Sequence, residues 1–331
     1  MDFVLIWVDG NDNQWQNEKA RYTSDTAGDK SSARFRDWEL LKYWFRGVEK
    51  FAPWIDKVHF VTCGHFPKWL NLNHPKLNFV KHSDFIPTEY LPTFNSHTIE
   101  LNLHRIQGLA EEFVYFNDDM FLISNTKPSN FFKNYLPCDE ANIRYKLPHH
   151  FSLVKSVDFY NLWTLAKHFK KNKCLSKNPT KYINLRYSLF DNLYTLYALP
   201  APIFPGFTWH HSAQSFLKST FEDVWVKEPE LLEKTCKSKF REATKVSQYL
   251  IRYWQLAQGN FSPCNFSKSR IRCELGTTPI EEIGEIIRQQ NKQIICINDD
   301  FNIDQYYELY KISLIKSFEM ILPEKSTFEI V

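Results

Sequence analysis

Phe3-Val4-Leu5-Ile6-Trp7-Val8 runs without a polar residue into Asp9-Gly10-Asn11-Asp12. An unbroken apolar run of this length, stopped by a turn, is the pattern of a strand buried on both faces. It is far shorter than the ~20 apolar residues of a membrane-spanning helix and lacks the layout of a signal peptide. Asp9 therefore falls at a strand's carboxyl end, where ligands collect in open α/β sheets.

Outward from that strand, Leu41, Trp44, Phe45, Val48 and Phe51 follow helical spacing, with Asp37 placed to cap the run and Pro53 to stop it, so a helix is expected over Asp37 to Ala52. Lys57 to Thr62 and Asn78 to Lys81 read as further strands. Asn95 and Ser96 can cap a helix to about Leu109, whose apolar stripe of Ile99, Leu103 and Ile106 leaves His97, Glu100 and His104 on another face. Phe113 to Phe116 is a second buried strand ending in Asn117-Asp118-Asp119, and Ile294 to Asn298 ends in Asp299-Asp300 and could return beside it. Strand and helix in alternation, with strands ending in carboxylates, predict an α/β, Rossmann-like sheet whose nearest architecture is a GT-A-like nucleotide-sugar core. The stretch from about 151 to 258 is rich in Lys, Trp and Tyr and mainly helical in pattern, and is expected to be an insertion or lid of a single catalytic domain spanning 1–331.

Composition narrows the classes. A formal charge of +3 on 331 residues is too small to draw nucleic acid by long-range electrostatics. Seven scattered cysteines without a CxxC pair suggest neither a disulfide framework nor a zinc site, and fit a reducing cytosol. Aromatic residues are abundant at 16%; their faces suit sugar rings and uracil, although most must be core. No apolar stretch approaches membrane-spanning length, which leaves a cytoplasmic chain with at most a peripheral contact at the inner face of the plasma membrane. The amphipathic run from Tyr306 to Leu322 reads as a core helix, a homodimer seam or a membrane-surface contact, in that order.

Three constellations carry chemistry. Asp118-Asp119 at a strand end suits Mg²⁺ or Mn²⁺, which prefer hard oxygen ligands and neutralise a diphosphate; the plainer reading is a solvated turn. Arg34 and Arg36, just before a helix start, could clamp a diphosphate with bidentate donors, or could be two surface arginines on a loop. His210-His211 could supply a general base, although histidine pairs in loops are often incidental.

Taken in order, these segments resemble the Stealth family. Trp7-Val8-Asp9-Gly10 looks like its first block. Arg34-Phe35-Arg36-Asp37 through Trp54-Ile55, then Leu91 to His97, and finally Tyr115-Phe116-Asn117-Asp118-Asp119, look like its second. His211 through Phe216-Leu217-Lys218-Ser219-Thr220-Phe221 and Val224-Trp225 resembles the third, and Cys296-Ile297-Asn298-Asp299 the fourth. Trp38 stands where the family usually has Asn, and Ala213 where it usually has Pro.

The resemblance implies transfer of hexose-1-phosphate or N-acetylhexosamine-1-phosphate from a UDP-sugar to a hydroxyl of an oligosaccharide or lipid-linked glycan. The product is a phosphodiester and UMP leaves, as in bacterial capsule and cell-wall phosphotransferases and the animal enzyme that tags lysosomal hydrolases. It implies Asp118, Asp119 and Asp299 at the metal and Arg34 and Arg36 at the diphosphate. Trp7, Val8, Asp9 and Gly10 would face the nucleotide, with Asn95, His97, Glu100 and His104 around the donor sugar. Asp119, Arg36 and His211 form the expected catalytic set, His211 as base. A phospho-histidine intermediate is a variant of this scheme. Its rivals are a metal-dependent glycosyltransferase, which attacks the anomeric carbon and releases UDP, and a silent glycan-binding module.

Overall fold

The computed structural model describes residues 1–23, 36–147, 152–299 and 301–330. The opening run forms β1 (Asp2–Ile6) at the middle of a five-stranded sheet. It lies parallel to both β2 (Val58–Thr62) and β4 (Glu112–Phe116); β3 (Leu77–Lys81) extends the sheet beyond β2. Antiparallel β8 (Gln214–Leu217) closes the other edge, giving the order β3-β2-β1-β4-β8. A parallel sheet with helices on both faces and one antiparallel edge strand is the Rossmann-like α/β core expected from the sequence.

Each face of β1 supplies a different core. Phe3 and Leu5 point into a cluster built with α2 (Leu41–Phe51), α11 (Ile280–Gln289) and α12 (Tyr307–Ile321). Val4 points into a second cluster with α3 (Ser96–Asn102), α8 (Lys218–Lys227) and α10 (Tyr249–Gln258). This two-sided burial is why the run shows no apolar-polar alternation. The Tyr306–Leu322 run is a core helix on its inner side, where Leu314 and Phe318 are fully buried.

A small sheet, β10 (Arg270–Glu274), β11 (Ile294–Asn298) and β5 (Met120–Leu122), brings the late strand back to the acidic turn: Cys296 pairs with Met120, and the Ile297 amide donates to the Asp119 carbonyl at 2.8 Å. A third sheet joins β6 (Phe132–Lys133), β7 (Leu136–Asp139) and β9 (Ser262–Pro263). The segment from about 151 to 258 is mainly helical, but it also delivers β8 to the main sheet and is therefore woven into the core. Its other helices are α4 (Leu153–His168), α5 (Lys171–Lys177), α6 (Pro179–Tyr182), α7 (Leu189–Tyr197) and α9 (Pro229–Cys236); α1 (Asn13–Thr23) precedes them all.

Two helices depart from the expectation. α2 starts at Leu41 because the Asp37 carboxylate accepts from the Glu39 amide and Glu39 takes a left-handed φ of 56°, which breaks the helix before it begins. α3 is capped by Asn95 as expected, yet it ends at Asn102, where a 3₁₀ turn over Leu103–Arg105 takes over.

The helical segment is fastened by a fully buried ion pair. Arg252 on α10 forks onto Asp139 at the end of β7, with N–O distances of 2.7 and 2.9 Å, and donates to the Thr208 and Glu140 carbonyls. Gln214 of β8 adds a third donor to the same carboxylate at 2.9 Å. Arg252→Met leaves that carboxylate buried and largely uncompensated, and should cost about 3–5 kcal/mol in urea unfolding. A loss below about 1 kcal/mol would show that the pair does not hold the segment.

Candidate functional site

In the order β3-β2-β1-β4, connections diverge on either side of β1, and the crevice beyond the carboxyl ends of β1 and β4 is the topological switch point. A cleft of about 1040 Å³ opens there. Trp7 and Val8 enter it from the end of β1, and Asp118 and Asp119 from the end of β4.

Asp119 is the junction of the site. Its Oδ2 accepts from His211 Nε2 at 3.0 Å and from the Cys296 thiol at 3.3 Å. Its Oδ1 is buried and has no hydrogen-bond partner among the described residues. Burial alone would raise this carboxyl, but the imidazole and the thiol together hold it below the usual range. Asp118 lines the cleft and is exposed. The protein around it and the adjacent Asp119 charge push it up to about 7. Asp37 is also raised, by burial and by the nearby Asp9 and Glu39 carboxylates. Carboxyl groups thus gather on one side of the cleft.

Asp119, His211 and Cys296 place one ligand atom each within 4.8 Å of one another, a candidate metal group. Burial and the Asp119 carboxylate push the Cys296 thiol well up, and it donates its S–H to Asp119. The oxygen atoms of Asp118 and Asp119 are the harder donors in this corner.

Guanidinium groups face the carboxylates. Arg36 donates to both oxygens of Asp299 at 3.1 Å, pairs with Asp304, and lies over the Tyr307 ring at 5.5 Å. Asp299 also accepts from Trp38 Nε1 at 3.3 Å, so the carboxylate expected on a metal instead orients an arginine, and Trp38 gives its indole N–H to the same oxygen. Arg241 reaches the cleft from the opposite wall, held by Ser96 Oγ at 3.0 Å. Arg272 lies over Trp209 at 5.3 Å. Arg34 lies outside the described residues.

Other expected residues divide between cleft and scaffold. His97 and Glu100 line the cleft; Glu100 is raised by burial, and the Tyr115 hydroxyl lies 3.1 Å from its Oε1. Asn95 is a helix cap, accepting from the His97 amide and donating to the Ser238 carbonyl. His104 does not reach the cleft. Because α3 ends at Asn102, His104 falls on the 3₁₀ turn and packs beside Phe221 and Trp225, where burial presses its pKa down to about 3. Asp9 and Gly10 shape the loop: the Asp9 amide donates to His65 Nε2 at 2.8 Å, and the Gly10 carbonyl accepts from Gln16. His210 turns aside to Glu140 at 2.6 Å. Reading the sequence missed Asp37, Arg241, Arg272 and Trp209. Only Trp209 carried a signal, its place beside the histidine pair.

Comparison with known proteins supplies the remaining evidence. A family profile described as Stealth protein CR2, conserved region 2, matches residues 34–138. The chain is 41% identical to a capsular polysaccharide phosphotransferase, WcwK, of Streptococcus pneumoniae, over 99% of its own length and 98% of that protein's. It is 36% identical to the receptor polysaccharide phosphotransferase WefC of Streptococcus oralis, covering 100% and 99% of the two chains. Among solved structures, the galactosyltransferase LgtC with donor and acceptor sugar analogues superposes at a TM-score of 0.41 with 10% identity, over 96% of both chains. With full-length relatives at this identity and the family's second conserved region in place, the chain belongs to the Stealth family and is an enzyme of the phosphotransferase class.

Proposed function

We propose that this enzyme transfers a sugar-1-phosphate from a UDP-sugar to a hydroxyl of a surface glycan, forming a phosphodiester and releasing UMP. The observation that carries the reading is the Asp119–His211 pair at the switch-point crevice, facing a cleft that also holds Arg36, Arg241 and Arg272. Relatives named polysaccharide phosphotransferases support the choice of phosphorus as the centre attacked.

Asp119 Oδ2 fixes the imidazole by accepting from Nε2, and His211 Nδ1 makes no hydrogen bond among the described residues. That nitrogen takes the proton of the acceptor hydroxyl as the oxygen closes on the donor's β-phosphorus. The bond from that phosphorus to the bridging oxygen breaks, and the bridging oxygen leaves with UMP. Such transfers depend on alignment and charge neutralisation more than on covalent help. The arginines supply fixed positive charge for the diphosphate, and Trp7 and Val8 offer apolar surface to the nucleotide.

The site's own chemistry fits a divalent cation. Asp119 Oδ1 is a buried acceptor with no donor among the described residues, and Asp118 beside it is raised by desolvation and by the Asp119 charge. Mg²⁺ or Mn²⁺ held by Asp118 and Asp119 would satisfy both and would neutralise the diphosphate. Asp119→Asn should abolish transfer with little change in unfolding temperature, and should weaken Mn²⁺ binding measured by calorimetry. Unchanged Mn²⁺ affinity would remove Asp119 from the cation.

His211→Ala should lower kcat roughly 10²- to 10⁴-fold with donor KM nearly constant. A selective rise in donor KM would instead assign His211 to the donor. The bond broken is read directly with donor carrying ³²P at the β position. The label should enter the glycan and resist phosphatase until a sugar is removed. Label leaving as UDP would make the enzyme a glycosyltransferase.

A further inference from the structure

The helix α7 is built as a stable element and then left uncovered. Ser188 caps it by accepting from the Asp191 amide at 3.1 Å, and Thr195 and Ala198 anchor it to the body. Most of its remaining surface is apolar and open: Leu189 and Phe190 are each 71% exposed and Tyr197 is 72% exposed, with Leu193, Tyr194 and Leu196 exposed as well. A helix apolar nearly all round belongs in a core or against a lipid phase, since water offers its side chains nothing. No helix among the described residues is long and apolar enough to cross a membrane, so a spanning role does not account for α7.

Charge selects between a bilayer and another protein. Residues 144–197 carry ten Lys and Arg against two Asp, a local charge of +8. The whole chain is +3, so the rest of it is −5. Both acids of the segment are already paired, Asp158 with Lys146 and Asp191 with Arg144. Lys155, Lys170, Lys173, Lys177 and Arg186 stand exposed. Exposed apolar side chains on a segment whose excess cations are largely exposed match the interface of an anionic bilayer, where the rings and leucines enter the acyl boundary and the lysines meet headgroups.

We propose that α7 and its basic flanks dock this enzyme on the surface of an anionic bilayer. The site follows from the same geometry. Tyr197 on α7 contacts the Tyr145 ring, centroids 5.6 Å apart, and Tyr145, Lys146 and Leu147 line the cleft. Docking through α7 therefore sets the cleft mouth at the headgroup level, within reach of a glycan acceptor anchored in the same leaflet. That last step rests on the function proposed above, whereas the docking itself does not.

The test is flotation of the purified full chain with vesicles of phosphatidylcholine alone, or with about a third phosphatidylglycerol. The enzyme should float with the anionic vesicles, be released as salt shortens the screening length, and stay behind with neutral ones. F190S together with Y197S should reduce the floating fraction at least tenfold, as should K173E with K177E, with circular dichroism and unfolding temperature unchanged. All four positions lie outside the cleft, so release of nucleotide from donor in solution should be unaffected. Failure of the native chain to float, or equal flotation with neutral vesicles, would overturn the proposal. So would a dimer in light scattering that F190S with Y197S dissociates, because α7 would then be covered by a second copy. If flotation stands but the labelled donor gives UDP, the docking surface is kept and only the reaction assignment falls.

Discussion

The contact on which the site depends is the one between the turn after β4 and β11. The Ile297 amide donates to the Asp119 carbonyl, and the neighbouring Cys296 thiol donates to the Asp119 carboxylate. Two residues of one strand thus grip both ends of one aspartate. That grip carries Asn298 and Asp299 to the cleft, and Asp299 then positions Arg36 from a segment more than 260 residues away in sequence. His211 reaches the same carboxylate from the approach to β8. Two distant parts of the chain, the approach to β8 and β11, therefore converge on the Asp119 side chain, and a third, the segment of Arg36, joins them through Asp299.

Such an arrangement places opposite demands on two adjacent aspartates. Asp119 is surrounded by donors and is held ionised, whereas Asp118 shares its charge repulsion and lacks a comparable donor set. Environments that push neighbouring carboxyls apart are a signature of catalytic sites, though buried ion networks produce them too. Here Asp119 Oδ1 is a buried acceptor with no partner among the described residues, which agrees with the first reading.

The central sheet was legible because β1 and β4 announce themselves by two-sided burial, which writes an uninterrupted apolar run into the sequence. The carboxylates at strand ends were legible for the same reason. What periodicity could not supply was the register of polar residues at helix ends. Asp37 carries a capping side chain, but it bonds to Glu39 in a turn, and that one bond moves Asp37 from helix cap to cleft wall. His104 fits the helical stripe of His97 and Glu100 only if the helix continues, and three residues of 3₁₀ geometry rotate it out. Arg241 and Arg272 reach the cleft by tertiary packing alone, and nothing in their local sequence distinguishes them from surface arginines.

The distribution of charge ties the site to its surroundings. The chain is close to neutral overall, yet its cations are concentrated on the segment from 144 to 197 while the carboxylates gather at the switch point. In the proposed reaction the guanidinium groups of the cleft would supply the positive charge that a donor diphosphate needs. The lysines outside are too exposed and too dispersed to form a small-molecule pocket, and what they offer is a broad, screened attraction to an extended anionic surface. The two sets of cations therefore differ in setting: Arg36, Arg241 and Arg272 line the cleft beside the carboxylates, and the exposed lysines lie on the segment that carries the apolar helix α7.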